Sequence, residues 1–353
     1  MAREQRCLGV DIRSSGIRAC HLQSRRGLLY LDKFGSITLP DSAVTDGAIQ
    51  DIDTVADALK EVLAANNIQQ KRTAFSVSGT RVIIKKISIP TMSQSELENS
   101  IRWEAEQFIP FDLNEIYLTA SFLDKNRTPG SQTNVALVAA KKEVVDSYQE
   151  VLRKCGLEPM ICDVDAFSLE TMFLENYDLR PGQKVALVQI NRDRTTLNIL
   201  NDGISDFTRD ITIGFSAFIN NLKTQLGITS EQALQTFQAA CSNEAQTSAQ
   251  LPPNVKKVLQ SSVDSIATEL QRSIDFYTNT NSENQPGQIF LMGYPSKLDI
   301  LQKKIHTQLG SEVAIVNPFR RIITDDHDET LLTQEAPGAA ISVGLALRYP
   351  GDC

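Results

Sequence analysis

The residues best placed to do chemistry stand at the start of the chain, in Leu8-Gly9-Val10-Asp11-Ile12-Arg13-Ser14-Ser15-Gly16-Ile17-Arg18-Ala19-Cys20-His21-Leu22. Apolar residues at 8, 10 and 12, then at 17, 19 and 22, flank a polar turn from Arg13 to Gly16. The pattern predicts a buried strand, a tight turn and a second strand. An acid at the end of such a strand, followed by small hydroxylated residues, is one way to hold a metal-bound phosphate. Backbone N–H groups of the turn face the anion, the hydroxyls of Ser14 and Ser15 add donors, and Asp11 holds the metal. The same residues also make an ordinary hairpin with a serine-rich turn, and on their own they leave both readings open. The theme returns in the second half. Residues 185–190 read as a strand, 191–194 as a polar turn and 195–200 as a strand, which suggests an internal duplication.

Other chemistries find little support. The six cysteines, Cys7, Cys20, Cys155, Cys162, Cys241 and Cys353, are scattered with no C-x-x-C pair, so neither a zinc site nor a disulfide framework is signalled. His21, His306 and His327 are far apart, and none has a partner at metal-ligand spacing. With 353 residues, 41% of them hydrophobic and 22% charged, the chain suits a globular protein with two or more core-bearing units. A net charge of −8 argues against nucleic-acid binding as the main function. No apolar run is long enough to span a membrane, and the N-terminus lacks the apolar stretch of a signal peptide. The expectation is a cytosolic protein.

The elements that position these residues can be read in order. Strand continues over 27–39, and apolar residues at 52, 55, 58, 59, 62 and 63 predict a helix. Strands follow at 74–78 and 82–90. Ser93 and Glu96 form a capping box for a helix over 93–108 with the stripe Leu97, Ile101, Ala105 and Phe108, Trp103 lying off it and Pro110 closing it. Strands at 116–123 and 133–140 flank a loop at 125–132, and helices are expected at 141–155 and 166–176. Arg180-Pro181-Gly182 is the best linker. Beyond it lie a strand at 207–213, helices at 215–226, 230–240 and 254–277, and a polar loop at 243–253. A strand at 289–293, a helix at 297–309, a strand at 313–316 and an Ala/Gly-rich helix at 337–347 complete the chain.

The duplicated hairpins, the insert and the strand–Gly293–helix unit resemble the actin/sugar-kinase/Hsp70 architecture. Within it, Glu104-Ala105-Glu106-Gln107-Phe108-Ile109-Pro110-Phe111 resembles the EAE-aromatic-IPF signature of PilM, the actin-like type IV pilus assembly protein family. Cys162-Asp163-Val164-Asp165-Ala166-Phe167 resembles the family's DVEAFA turn, Glu269-Leu270-Gln271-Arg272-Ser273-Ile274-Asp275-Phe276-Tyr277 its ELxRSLDYF helix, and 338–348 its GLALR ending. The likeness runs from about residue 7 to 349. It implies an α/β fold with an actin-like, ribonuclease-H-like duplicated core and an FtsA-type α+β inserted subdomain. The expected division is 1–81 with 161–180 and 336–353 as the first core subdomain, and 82–160 as the insert. The second core subdomain is 181–214 with 278–335, and 215–277 is a mainly helical subdomain. The implied role is a cytoplasmic scaffold, peripheral at the inner membrane, that binds the N-terminal tail of a PilN-like inner-membrane partner in a groove between the first core subdomain and the insert. Other pilus-machine components and self-association are further partners the resemblance allows. The competing readings are a working ATPase switch and the equivalent component of a type II secretion or other pilus-like system.

Three departures bear on ATP and Mg. The family's first turn reads Asp-Ile-Gly-Ser-Ser-Ser, whereas here it is Asp11-Ile12-Arg13-Ser14-Ser15-Gly16. Arg13 brings a guanidinium where glycine lets backbone approach a phosphate; it either pairs with phosphate or fills the pocket. Gln189 replaces the acid of the second hairpin and has no charge to offer a metal. Tyr294 follows Gly293 where the family has Gly-Gly. The expected nucleotide site comprises Asp11 (also the metal ligand), Arg13, Ser14, Ser15, Gly16, Gln189, Thr195, Thr196, Glu269, Arg272 and Gly293, and it is expected to be degenerate. For the partner, the candidate wall is Trp103, Glu104, Glu106, Phe108, Ile109, Pro110 and Phe111. Read without the family, Ile109-Pro110-Phe111 is a helix stop with Phe111 in the core, and the two glutamates are solvated helix-face charges.

Overall fold

The structure, a computed structural model, describes residues 6–123, 131–241, 251–281, 284–325 and 327–352. The loops expected at 125–132 and 243–253 lie largely outside these residues.

The chain opens with a meander of β1 (Leu8–Arg13), β2 (Gly16–Arg25) and β3 (Leu28–Ile37). A small ladder of β4 (Val44–Thr45) and β5 (Ala48–Ile49) precedes α1 (Ile52–Ala65) and β6 (Arg72–Val77). Next come β7 (Val82–Pro90), α2 (Gln94–Glu106), β8 (Ile116–Phe122) and β9 (Gln132–Lys141), then α3 (Lys142–Lys154), β10 (Glu158–Val164) and α4 (Asp165–Asn176). The second half repeats the meander as β11 (Lys184–Ile190), β12 (Thr195–Asn201) and β13 (Ile204–Ile211). It continues through α5 (Ser216–Leu226), α6 (Ser230–Cys241), α7 (Pro253–Asn281), β14 (Gln288–Met292), α8 (Asp299–Leu309), β15 (Glu312–Ile315), β16 (Ile322–Ile323) and α9 (Glu329–Ala346).

The duplication is visible in the sheets. One sheet runs β10-β6-β1-β2-β3-β16 and the other β13-β12-β11-β14-β15. In each, an antiparallel meander is followed by two strands parallel to its first strand. Because side chains alternate along a strand, a strand covered on both faces is apolar at nearly every position, and every residue of β1 is buried. Leu8, Val10 and Ile12 face a core shared with α1 and α3. On the other face α4 and α9 are sandwiched between the two sheets, in a core that also takes Val185, Leu187, Phe290 and Met292. The outer face of the second sheet is covered by α5 to α8.

Strands β7, β9 and β8 form a separate antiparallel sheet with α2 on one face. Their core comprises Ile87, Ile89, Leu97, Ile101, Ala105, Ile109, Val135 and Leu137. The capping box at Ser93 and Glu96 is present. Helix α3 sits elsewhere: Val144, Tyr148 and Val151 pack into the first sheet's core, so that helix joins the six-stranded sheet rather than β7–β9.

The closing helix differs from expectation. It begins at Glu329, not at Pro337, with Asp328 capping the N–H groups of Thr330 and Leu331. A proline inside a helix frees a carbonyl one turn earlier. Here the Lys297 ammonium donates to the carbonyls of Thr333 and Gln334, both at 3.3 Å, which lets the helix run through Pro337.

Candidate functional site

Asp11 and Arg13 lie two residues apart on one face of β1, at the lip of the first hairpin, where Arg13 pairs with Gly16 across the turn. Arg13 is 6% exposed. Its guanidinium reaches three elements. Nε donates to Asp11 Oδ1 at 2.5 Å, Nη1 to Ser78 Oγ at 2.7 Å, and Nη2 to Ser76 Oγ at 3.0 Å and to Asp165 Oδ1. Ser76 Oγ in turn donates to Asp165 Oδ1 at 2.9 Å. This commits most of the donors a guanidinium carries. The acid expected to hold a metal therefore holds the chain's own cation. Burial works against the charge of Arg13, yet the carboxylates of Asp11 and Asp165 outweigh it and hold the guanidinium above its ordinary pKa. Burial pushes Asp165 up to about 6 against the opposing pull of Arg13.

The second turn closes onto the first. Ser14 Oγ donates to Asp193 Oδ2, Arg194 pairs with Asp46 and, at 3.2 Å, with Asp210, and Arg192 pairs with Asp41 at 2.7 Å. Thr195 Oγ1 donates to the Ile213 carbonyl at 2.7 Å and Thr196 Oγ1 to Asp210 at 2.9 Å, so both hydroxyls serve their own sheet. Gln189 Nε2 donates to Asn191 Oδ1 at 3.1 Å, while Gln189 Oε1 and Asn191 Nδ2 are buried without a partner. Between the turns remains a cavity of about 20 Å³ lined by Arg13, Ser14, Ser78, Asn191 and Arg194 among others, room for roughly one water.

Other expected ligands are accounted for by local structure. Ser15 is half-buried at the turn. Gly16 has φ +145° and a Cβ there would lie 2.2 Å from the Ile37 carbonyl; Gly293 has φ +88° and a Cβ there would lie 2.1 Å from the Ile190 carbonyl. Each glycine is demanded by backbone approach within the sheets. Tyr294 turns its hydroxyl to Glu335 at 3.2 Å. Glu269 and Arg272 pair with each other at 2.5 Å along α7 and do not line the cavity between the turns. Sequence reasoning missed Ser76, Ser78 and Arg194. Asp165 stood in a quoted motif, but nothing local tied it to Arg13.

The 103–111 segment lies on the α2 side of the insert. Ala105 and Ile109 are buried in the insert's own core. Phe108 sits under Lys85 and Phe111 under Lys141, at 5.6 and 5.3 Å from the ring centroids. Glu104 is half-buried, Glu106 and Pro110 are exposed, and Trp103 is 75% exposed.

The raised carboxyl of Asp165 gives a pH signature. Between the ordinary value of 3.8 and about 6 the folded state binds more protons than the unfolded one. Its contribution to stability is full below about pH 4 and lost as the pH rises through 6. Carboxyl-carbon NMR should show Asp165 titrating near 6, and Asp165→Asn should remove that part of the pH dependence. Titration in the ordinary carboxylate range would contradict the buried cluster.

A sequence profile of the family described as Type IV pilus assembly protein PilM matches residues 9–349. The chain belongs to this family. Among solved structures, the PilM-PilN type IV pilus biogenesis complex superposes with TM-score 0.87 at 23% identity, covering 98% of each chain. The ethanolamine utilization protein EutJ from Carboxydothermus hydrogenoformans matches with TM-score 0.58 at 14% identity, over 98% of this chain and 93% of that one. MreB5 of Spiroplasma citri bound to ADP matches with TM-score 0.52 at 10% identity, over 97% and 95%. The fold is therefore actin-like. In this PilM-family chain the cavity between the turns is smaller than an ordinary small-molecule site. Small-molecule sites take roughly 300–1,000 Å³, whereas the space here is about 20 Å³ and Arg13 occupies the acid that would meet the metal.

Proposed function

We propose that this chain is a cytoplasmic scaffold of the type IV pilus assembly machine, held at the inner membrane by the N-terminal tail of a PilN-like partner, with a degenerate nucleotide site. Family membership over residues 9–349 carries the scaffold role, and it is supported by likeness to the PilM-PilN complex over nearly all of both chains. The ion pairs of Arg13 with Asp11 and Asp165 support the degenerate site. A phosphate entering there would meet two carboxylates once the guanidinium left, and Gln189 brings no charge to a metal. The ATPase-switch reading has no such observation in its favour. No helix of the described residues is long and apolar enough to cross a membrane, so membrane association falls to a partner. For the 103–111 segment, the proposal applies to the exposed Trp103, Glu106 and Pro110, as a contact surface for the partner or a further component of the machine.

Fractionation of cells tests the scaffold role. The chain should sediment with membranes when the PilN-like partner is intact and shift to the soluble fraction when only the partner's cytoplasmic tail is deleted. Unchanged membrane association without the tail would contradict it.

A further inference from the structure

The two meanders share one turn geometry and carry opposite charge on it. Arg25 pairs with Leu28 across the β2–β3 turn, and Asn201 with Ile204 across the β12–β13 turn. The residues between them have nearly the same backbone, with φ +54° and +80° at Arg26 and Gly27 and φ +52° and +80° at Asp202 and Gly203. Two positive φ angles mark the two-residue turn that favours Asn-Gly or Asp-Gly. Asp202 fits that preference, and its carboxylate accepts from the Gly182 N–H. Arg26 does not. A long side chain is disfavoured in the left-handed region, and among the described residues no hydrogen bond or ion pair of the Arg26 side chain offsets this.

The neighbours of Arg26 are also cationic. Arg25 is exposed, with its guanidinium 5.2 Å from the centroid of the Tyr30 ring. Strand β16 runs beside β3 with Ile322 opposite Leu29, which brings Arg320 and Arg321 up to Leu28. Both arginines are exposed. Arg320 lies over the Tyr177 ring at 4.9 Å, while Arg321 is paired with Asp178 and also feels Glu175. Four arginines thus gather with Asp178 and Glu175 at one edge of a chain whose net charge is −8. Leu28, in their midst, is 54% exposed, whereas Ile204 at the matching place is half-buried.

A cationic tip around an exposed leucine suits the surface of an anionic bilayer. Each basic residue near such a surface adds about fivefold to affinity. The guanidinium matches phosphate geometry, its aliphatic stem can lie along apolar material, and Leu28 gains burial at the headgroup boundary. We infer that the β2–β3 tip, with Arg320 and Arg321 beside it, lies against the anionic lipid headgroups of the inner membrane. The inference rests on the scaffold reading for the presence of that membrane, and adds a direct lipid contact to the partner's tail. Stable attachment takes two signals. The tip is the weaker of them, so deleting the tail still releases the chain.

The test titrates the purified full chain against vesicles that carry a lipid-linked synthetic peptide of the PilN-like tail. The vesicles are of phosphatidylcholine alone or of phosphatidylcholine with phosphatidylglycerol. Binding by co-sedimentation should be about tenfold or more tighter on the anionic vesicles at low salt, and the gain should fade as salt is raised. Arg26→Asp places in the first turn the residue that the second turn already carries, so the unfolding midpoint should not fall. It changes the local charge by two, and should weaken binding to anionic vesicles about tenfold or more with binding to neutral vesicles unchanged. Equal binding to the two kinds of vesicle, or an Arg26→Asp protein that holds the anionic ones as tightly as the unaltered chain, would overturn the inference and leave the scaffold reading standing. A soluble polyglutamate peptide that bound the chain as tightly as anionic vesicles do, and lost that binding in Arg26→Asp, would overturn it too, by assigning the tip to an acidic protein. No binding to either kind of vesicle would remove both readings.

Discussion

Replacing Arg13 by alanine lowers the free energy of unfolding by about 3–5 kcal/mol, the usual cost of stripping one partner from a buried ion pair. Asp11 and Asp165 are each 2% exposed, and among the described residues no other cation is paired with either. The loss should be larger at pH 8 than at pH 4, because at low pH the orphaned carboxyls take up protons. Adding Asp165→Asn to Arg13→Ala should recover part of it, a coupling expected of residues in direct contact. Urea unfolding of the four variants of this cycle is the check. A loss below about 1 kcal/mol would mean that Arg13 is a bystander, and the site would then be open to other cations.

Gly344→Ala is the second large effect, and its sign separates two forces. In an unconstrained helix the change stabilises by about 1 kcal/mol. In α9 a Cβ at this position would lie 1.9 Å from the Ser168 carbonyl oxygen of α4. The two helices fill the space between the sheets, so neither can retreat freely. A net destabilisation of about 3 kcal/mol, the upper end for an overpacked core, is expected from thermal or urea unfolding. Gly287→Ala, with nothing within 4 Å of its Cβ position, should stay within about 0.5 kcal/mol. A stabilised Gly344→Ala protein would show that α4 and α9 are not in close contact.

Both forces act at long range in sequence, and that sets how much could be read beforehand. The two hairpins were legible because strand alternation and turn residues are local signals: the expected turns at 13–16 and 191–194 are where β1–β2 and β11–β12 reverse. The insert's helix was legible from Ser93 and Glu96 for the same reason. Arg13 stood out as a departure, but the sequence left it between pairing with phosphate and filling the pocket. The deciding partner, Asp165, lies 152 residues away. Thr195 and Thr196 resemble ligands in sequence because a hydroxyl's partner is invisible there, and in the fold they bond to Ile213 and Asp210. Pro337 looked like a helix start because proline suits that position. Only the approach of Lys297 to the freed carbonyls explains a helix that begins eight residues earlier. The packing of α3 on the first sheet follows from tertiary contacts that no local pattern announces.

The most direct measurement is a calorimetric titration of the purified full chain with the synthetic tail peptide, in the presence and absence of Mg·ATP. The account predicts saturable binding with the same affinity in both conditions and no heat from Mg·ATP alone, because the place of the metal is taken by Arg13. Binding that requires Mg·ATP, or Mg·ATP that itself binds at micromolar concentration, would contradict it.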